Sequence, residues 1–156
     1  MSTQFRAKIL GFAAAAALVA GASVPAQAHH SFAMYDVTKT LTLTGRLTRF
    51  IPGANHAQLL FELVDERGET ILGDDGKPVV WGVETAPAAT IARQGVTVKA
   101  FPVGTIITVT LNPLRDGRNF GALANGARIV KCGMEMPEGG CTPETGEVFL
   151  EDDDAS

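Results

Sequence analysis

Apolar and polar residues alternate along much of the chain, and a two-residue period is typical of half-buried β-strands. Residues 39–50 show it most clearly, because leucines alternate there with threonines. Residues 105–111 form a run rich in β-branched side chains, whereas Pro87 and Gly95 bracket a helical stretch that Thr85 can cap. The sequence predicts strands at 39–50, 56–65, from 79, at 105–111 and within 118–131, with a helix at 87–94.

Five strands with one helix between the third and the fourth follow the order of the OB-fold barrel. We therefore predict an all-β fold with one short helix, built as a small five-stranded OB-like barrel. Gly45 interrupts the first strand and is expected to mark a bulge or a sharp bend. Residues 66–77 are polar and contain an Asp75-Gly76 turn, which predicts a short hairpin arm between the second and third strands.

The start of the chain predicts export. Arg6 and Lys8 precede an uncharged apolar block at residues 9–22, and an Ala-Gln-Ala sequence at 26–28 fits the requirement of signal peptidase. The block is shorter than the ~20 residues that span a bilayer, which favours a removable leader over a transmembrane helix. We predict a signal peptide at 1–28, a mature chain without a membrane span, and a periplasmic or secreted location.

Composition narrows the possible functions. The chain is 46% hydrophobic, which is enough to bury a core and excludes intrinsic disorder. Its formal net charge of −4 argues against nucleic-acid binding, which usually requires a basic surface. After the leader, the predicted organisation is an N-terminal arm at 29–38, the barrel at 39–131, and a disulfide loop with an acidic tail at 132–156.

Two cysteines, Cys132 and Cys141, flank a loop rich in turn-forming residues. In an exported protein such a pair is expected to form a disulfide, which would stabilise the fold by about 2.7 kcal/mol on the chain-entropy model. Met134 and Met136 lie between the cysteines, so four sulfur atoms would alternatively suit a Cu(I) site. The disulfide is the preferred interpretation.

Cleavage after Ala28 would make His29 the N-terminal residue, followed by His30. A free α-amine has an ordinary pKa of about 7.7–8.0, so a metal ion can displace its proton at neutral pH. His29 would chelate an ion through its amine and its imidazole, and His56 is the candidate for a third nitrogen. This T-shaped arrangement is a histidine brace, and a ligand set made only of nitrogen favours Cu(II).

Other interpretations of the histidines stay open. The amine, the next amide nitrogen and the His30 imidazole would form a different planar chelate, and cleavage after Ala26 would remove both schemes. His29 and His30 would otherwise be exposed residues of a loose terminus, and His56 a turn residue bonded to the backbone. Chain length adds a condition, since His29 and His56 can meet only if the arm folds back along the barrel or the first strand coils strongly.

Residues 29–36, His-His-Ser-Phe-Ala-Met-Tyr-Asp, directly follow an alanine-rich leader. Together with the Leu-Thr-Leu-Thr-Gly strand at 41–45, Trp81 with Glu84, and the turn at 112–117, this opening resembles a family of small exported bacterial proteins of unknown function. The resemblance implies export and a β-barrel over most of residues 29–131. Members commonly carry Asn-Pro-His-Ser-Trp after the first strand, whereas this chain keeps only the Asn-His pair that ends at His56.

The sequence favours a binding protein over an enzyme. The first hypothesis is an exported periplasmic protein that coordinates Cu(II) through its processed N-terminal histidine. The alternative is a metal-free OB-type module that binds a protein, peptide or glycan of the cell envelope, with Trp81 as a candidate stacking platform for a sugar. A redox enzyme built on a histidine brace is a third and more distant option.

Overall fold

The computed structural model describes residues 33–150. Its strands are β1 (Leu41–Ile51), β2 (Gln58–Leu63), β3 (Val80–Glu84), β4 (Ile106–Pro113), β5 (Phe120–Leu123), β6 (Ile129–Lys131) and β7 (Glu147–Phe149), and its helix is α1 (Ala88–Arg93). The first five strands pair in the order β1-β2-β3-β5-β4, and β4 pairs again with β1, which closes a barrel. Among the strands of residues 33–150, only the pair β3–β5 is parallel. The predicted five-stranded OB-like barrel with one short helix is confirmed.

The barrel closes because β1 bends. Its first half pairs with β4 and its second half with β2, and Gly45 takes part in both ladders. A Cβ atom on Gly45 would meet the Phe61 ring and would lie 2.6 Å from the backbone oxygen of Glu62, so only glycine allows this approach. The bulge expected at Gly45 lies instead between Leu47 and Arg49, where the register with β2 shifts.

The core fills the barrel and continues under α1. Ile91 of α1 is only 1% exposed and joins the same apolar cluster. Pro87 precedes the helix and no side chain caps it, so the predicted Thr85 cap is wrong. Thr85 is buried, and its hydroxyl donates to the backbone oxygens of Ala57 and Ala86 instead. The largest fully buried residues of the cluster are Phe61, Phe101, Leu47, Leu59, Ile91, Ile107, Leu111 and Ile129.

The hairpin arm between β2 and β3 follows the sequence prediction. Val64 bridges Thr70, and Leu72 bridges Pro78. The Asp75 carboxylate accepts a hydrogen bond from the backbone N–H of Lys77, which stabilises the turn. No helix within residues 33–150 is long and apolar enough to span a membrane.

The end of the described chain differs from the prediction. Residues 118–131 form two short strands, β5 and β6, because a turn intervenes in which the Ala127 N–H donates to the Ala124 oxygen. β6 pairs with β4, and β7, which the sequence analysis missed, pairs with β6. Phe149 of β7 packs edge-on against Phe101 with ring centroids 4.8 Å apart. We call residues 129–150 the C-terminal extension.

Arg46 fastens the C-terminal extension to the barrel. Its guanidinium donates hydrogen bonds to the backbone oxygens of Met134 (2.8 Å), Gly68 (3.1 Å) and Gly104 (3.2 Å). These oxygens belong to three different loops. A single cation therefore satisfies three carbonyl groups and fixes the loops relative to one another.

Candidate functional site

The N-terminal segment of the described chain adds to the end of β4. Tyr35 forms a β-bridge with Leu114, the Asp36 N–H donates to the Pro113 oxygen at 2.8 Å, and the Arg115 N–H donates to the Met34 oxygen at 2.9 Å. These backbone bonds hold Tyr35 against the barrel, where the residue is only 2% exposed.

The Tyr35 side chain meets Glu84, the last residue of β3. Burial is the main reason why the pKa of Tyr35 is raised to about 12, and the charge of Glu84 and a side-chain hydrogen bond to Glu84 add to it. The phenol therefore stays protonated at neutral pH and donates to the Glu84 carboxylate. Glu84 is thereby tied to the N-terminal segment.

His56 approaches Glu84 from the turn before β2. Its Nδ1 lies 3.2 Å from the Thr85 backbone oxygen and 3.6 Å from Oε1 of Glu84. Backbone hydrogen bonds fix the segment that carries His56 against the segment that carries Glu84. The Thr85 N–H donates to the Ala57 oxygen, and the Ala57 N–H donates to the Ala86 oxygen. Because a carbonyl can only accept, Nδ1 carries the proton and the free lone pair of the neutral ring is on Nε2.

We call Tyr35, His56 and Glu84 the rim site. His56 is a turn residue bonded to the backbone through Nδ1, as one of the interpretations of the sequence has it. This bond leaves Nε2 available for other chemistry. The side chain of His56 is 40% exposed and that of Glu84 is 20% exposed, so solvent and ligands can reach both.

Of the predicted ligands His29, His30 and His56, the structure describes only His56. His29 and His30 lie outside the described residues. Within residues 33–150, no three or more histidine, cysteine, aspartate and glutamate side chains form a group that could hold a metal ion. Of the described groups at the rim, His56 and Glu84 offer one nitrogen and one carboxylate as donors.

The sequence alone did not mark Glu84 as a site residue. Glu84 entered only as part of the family resemblance, together with Trp81, and Tyr35 belongs to the opening run of that resemblance. The three rim-site residues come from the N-terminal segment, the β1–β2 turn and the end of β3. These residues are far apart in the sequence and form no motif of fixed spacing. The signal that the sequence offered was their position in the segments that resemble the family.

Two neighbouring cavities lie beside the rim site. One of about 310 Å³ is lined by Tyr35, Glu84, Phe120, Leu114 and Arg118 among others. The second, of about 420 Å³, is lined by Trp81, Lys39 and Arg115 together with Leu114 and Arg118. Leu114 and Arg118 line both cavities, whereas Tyr35 and Glu84 line only the first.

The cysteines form the expected disulfide. Cys132 and Cys141 are bonded, with their Cα atoms 5.7 Å apart. Cys141 is buried in a small apolar cluster against which Met136 also packs, whereas Met134 is 54% exposed. Both thiols are used by the bond, so the structure supports the disulfide rather than the alternative site of four sulfur atoms.

Comparison with known proteins gives a family without an assigned activity. A family model described as "Family of unknown function (DUF6152)" matches residues 16–124. The matched range includes all three rim-site residues and ends before β6. Comparisons with curated proteins and with solved structures gave no match. Since the match covers more than half of the chain, this protein belongs to the DUF6152 family, an uncharacterised family as the sequence resemblance implied.

Proposed function

We propose that the protein is an exported, periplasmic binding protein that coordinates Cu(II) with its processed N-terminus. Cleavage after Ala28 frees the α-amine of His29, and this amine and the His29 imidazole bind one copper ion. His56 contributes the third nitrogen through Nε2. Three nitrogen donors match the preference of Cu(II).

The observation that carries this proposal is the way His56 is held. Metal-binding histidines usually donate their second ring N–H to a carbonyl or carboxylate, which fixes the tautomer and the ring orientation. Nδ1 of His56 has one such acceptor, the Thr85 backbone oxygen at 3.2 Å, and the Glu84 carboxylate lies beside it at 3.6 Å, beyond hydrogen-bond distance. Nε2 is thereby available as a ligand on a ring that is partly exposed.

The covalent chain is long enough for this ligand set. His29 precedes Tyr35 by six residues, which span at most about 22 Å when extended. The phenol of Tyr35 bonds to Glu84, whose carboxylate lies 3.6 Å from the His56 ring. This ligand set requires the arm to turn back toward His56, and the described part of the arm, which begins at residue 33, brings the Tyr35 phenol to Glu84.

The proposed location has two supports. The leader at residues 1–28 has the charge, length and cleavage sequence of a signal peptide. The bond between Cys132 and Cys141 is compatible with an oxidising compartment, where disulfides persist.

A competition titration with Cu(II) tests the proposal on protein that begins at His29, verified by intact mass. We expect one copper ion per chain with submicromolar affinity. His29→Ala, or acetylation of the N-terminal amine, should weaken binding at least about a hundredfold, and His56→Ala by about tenfold. His30→Ala is the matched control, since it weakens only the alternative chelate through the His30 imidazole. Unchanged affinity after acetylation and after His29→Ala would refute the proposal.

A second candidate function is a metal-free module that binds a protein, peptide or glycan of the envelope. It is favoured by the 420 Å³ cavity that includes Trp81, the one tryptophan of the chain. OB-folds bind such ligands at the strands and loops that surround this position. The absence of submicromolar copper binding would favour this function over the first.

A further inference from the structure

We infer that the open edge of strand β7 binds an extended, positively charged peptide segment, which adds to the sheet as a further strand. This surface belongs to the C-terminal extension, outside the range that the family model matches, and is independent of the proposed copper site. Three features support it: the register of β6 and β7, the way β7 is held, and the charge around it.

β7 forms one edge of the sheet. It comes last in the strand order and, among the described strands, pairs with β6 alone. On the other side of β6, the Cys132 N–H donates to the Ile106 oxygen at 2.9 Å, in register with the β4–β6 ladder. Backbone groups of successive residues point to opposite sides of a strand, so Ile129 and Lys131 direct theirs toward β7.

The same alternation locates the free backbone groups of β7. Glu147 and Phe149 lie opposite Lys131 and Ile129 and form the hydrogen-bonded pairs with β6, whereas Val148 directs its N–H and C=O away from β6. Within residues 33–150, no backbone hydrogen bond joins Val148 to a loop or a turn. The edge therefore presents a donor and an acceptor in the positions that an added strand uses.

The edge is held in place by contacts on its inner side. The disulfide between Cys132 and Cys141 closes the loop that leads to β7. A Cβ atom on Gly146 would lie 2.6 Å from Sγ of Cys132, so only glycine lets the chain approach this bond so closely. Phe149 packs against Phe101 with ring centroids 4.8 Å apart. A strand that is already ordered loses less conformational entropy when a partner binds.

Acidic residues concentrate around this edge. Residues 132–156 contain eight aspartates and glutamates and no lysine or arginine. Glu147 of β7 is 65% exposed and lies 3.6 Å from Lys131, the one cation of the C-terminal extension. Glu144 is exposed in the turn before β7, and a hydrogen bond to the Thr142 side chain lowers its pKa, so it is ionised at neutral pH. The edge therefore carries an excess of negative charge.

This charge determines which partner fits. Pairing of β7 with β7 of a second copy would bring Glu147 side chains together, and like charges across a ladder are destabilising. A strand with lysine or arginine opposite Glu147 gains from the opposite charge, and the negative field increases its rate of association. A cationic extended peptide is therefore the partner that suits this edge.

A titration with two synthetic peptides tests this on protein that begins at His29, in the presence of a metal chelator. The basic probe is a seven-residue peptide in which lysine and valine alternate, and the acidic probe has glutamate in place of lysine. Fluorescence anisotropy of the labelled peptides should show saturable binding of the basic probe, weakened by salt, and no binding of the acidic probe. Equal binding of both probes, or no binding of the basic probe, would overturn the inference.

Val148→Pro distinguishes strand addition from attraction by charge. Proline has no N–H and its ring obstructs the edge, but the Val148 N–H is not used by β6, so β7 can still pair with β6. The affinity for the basic probe should fall at least about tenfold. Val148→Ala is the matched control, because it keeps the N–H, and its affinity should stay within about twofold of the wild type. Unchanged affinity in Val148→Pro would contradict strand addition.

Hydrogen exchange of the wild type gives a test that does not depend on how Val148→Pro folds. In the free protein, the Val148 amide should exchange faster than the amides of Glu147 and Phe149, which are bonded to β6. The basic probe should slow exchange at Val148 at least about tenfold. Slow exchange of Val148 in the free protein would show that the edge is already covered and would overturn the inference.

A charge variant tests which side chains the peptide contacts. Glu147→Gln should weaken binding of the basic probe about threefold, the effect of one pair of opposite charges across a ladder. Glu66→Gln is the control, because Glu66 is an exposed glutamate on the hairpin arm. An equal loss in both variants would indicate nonspecific attraction and contradict the assignment.

Two further outcomes separate the causes. Sedimentation that shows a dimer of the wild type, absent in Val148→Pro, would assign the edge to a second copy of the chain and overturn the peptide assignment. His56 lies in the turn before β2, so His56→Ala should bind the basic probe like the wild type even though it weakens copper binding. Failure of the peptide site and failure of the copper site are therefore distinguishable.

Discussion

The rim site and the C-terminal extension lie on the same barrel but are stabilised by different interactions. At the rim, Tyr35 and His56 surround one carboxylate, and each contact involves a group that can gain or lose a proton. In the extension, a disulfide, a pair of phenylalanine rings and a lysine above them hold two short strands. The family match includes the rim site and stops before the extension. We therefore expect substitutions at the rim site to change mainly metal binding, and substitutions in the C-terminal extension to change mainly stability.

Removing the disulfide should give the largest loss of stability. The double variant Cys132→Ser with Cys141→Ser releases the loop between the cysteines and should lower the free energy of unfolding by about 2.7 kcal/mol. Urea unfolding measures this loss. Copper affinity should stay within a factor of two in folded protein, and a loss of copper binding equal to that of His56→Ala would break the distinction between the regions.

Arg46→Met should give the next largest effect. The variant keeps an apolar stem and leaves the oxygens of Gly68, Gly104 and Met134 without their charged donor, so we expect a loss of about 2 kcal/mol. Arg49→Gln is the control, because Arg49 is an exposed arginine of the same strand. Similar unfolding midpoints for the two variants would show that the three loops do not depend on Arg46.

Glu84→Gln should affect the rim site more than stability. The amide oxygen can still accept from Tyr35, but the charge beside His56 is lost, and copper affinity should fall about tenfold, or about 1.4 kcal/mol. The pKa of Tyr35 should fall from about 12 toward its ordinary value, because the charge of Glu84 is one of the causes that raise this pKa. Tyr35 is the one tyrosine of the chain, so phenolate absorbance reports it alone. Glu66→Gln, an exposed glutamate on the hairpin arm, should change neither quantity.

Tyr35→Phe should give the smallest change at neutral pH, about 1 kcal/mol for one hydrogen bond. The effect that distinguishes this variant appears in its stability at alkaline pH. The folded-state pKa of Tyr35 is raised, so the folded protein keeps a proton that the unfolded chain releases above pH 10. Wild-type stability should therefore fall as the pH rises from about 10 to about 12, and Tyr35→Phe should lack this part of the decline. Parallel pH profiles for the two proteins would contradict the assigned environment of Tyr35.

The barrel could be predicted from the sequence because its determinants are local. Alternation in β1, the β-branched run in β4, and Pro87 and Gly95 around α1 each act within a few residues. β7 could not be predicted in this way. It has three residues, and it is stabilised by pairing with β6 and by the contact between Phe149 and Phe101.

The rim site is also a product of tertiary structure. The position of Glu84 beside Tyr35 depends on how the N-terminal segment adds to the end of β4. The Thr85 cap failed for a similar reason, since burial of Thr85 gives its hydroxyl better partners in neighbouring backbone. In each case, contacts between distant segments override the local pattern.

The most direct test of the proposed copper site is electron paramagnetic resonance of protein that begins at His29, loaded with one equivalent of Cu(II). We predict one copper species with three directly bound nitrogens, of which one disappears in His56→Ala and another when the N-terminal amine is acetylated. Spectra that are the same for the wild type, for His56→Ala and for the acetylated protein would contradict a site built from the processed terminus and His56.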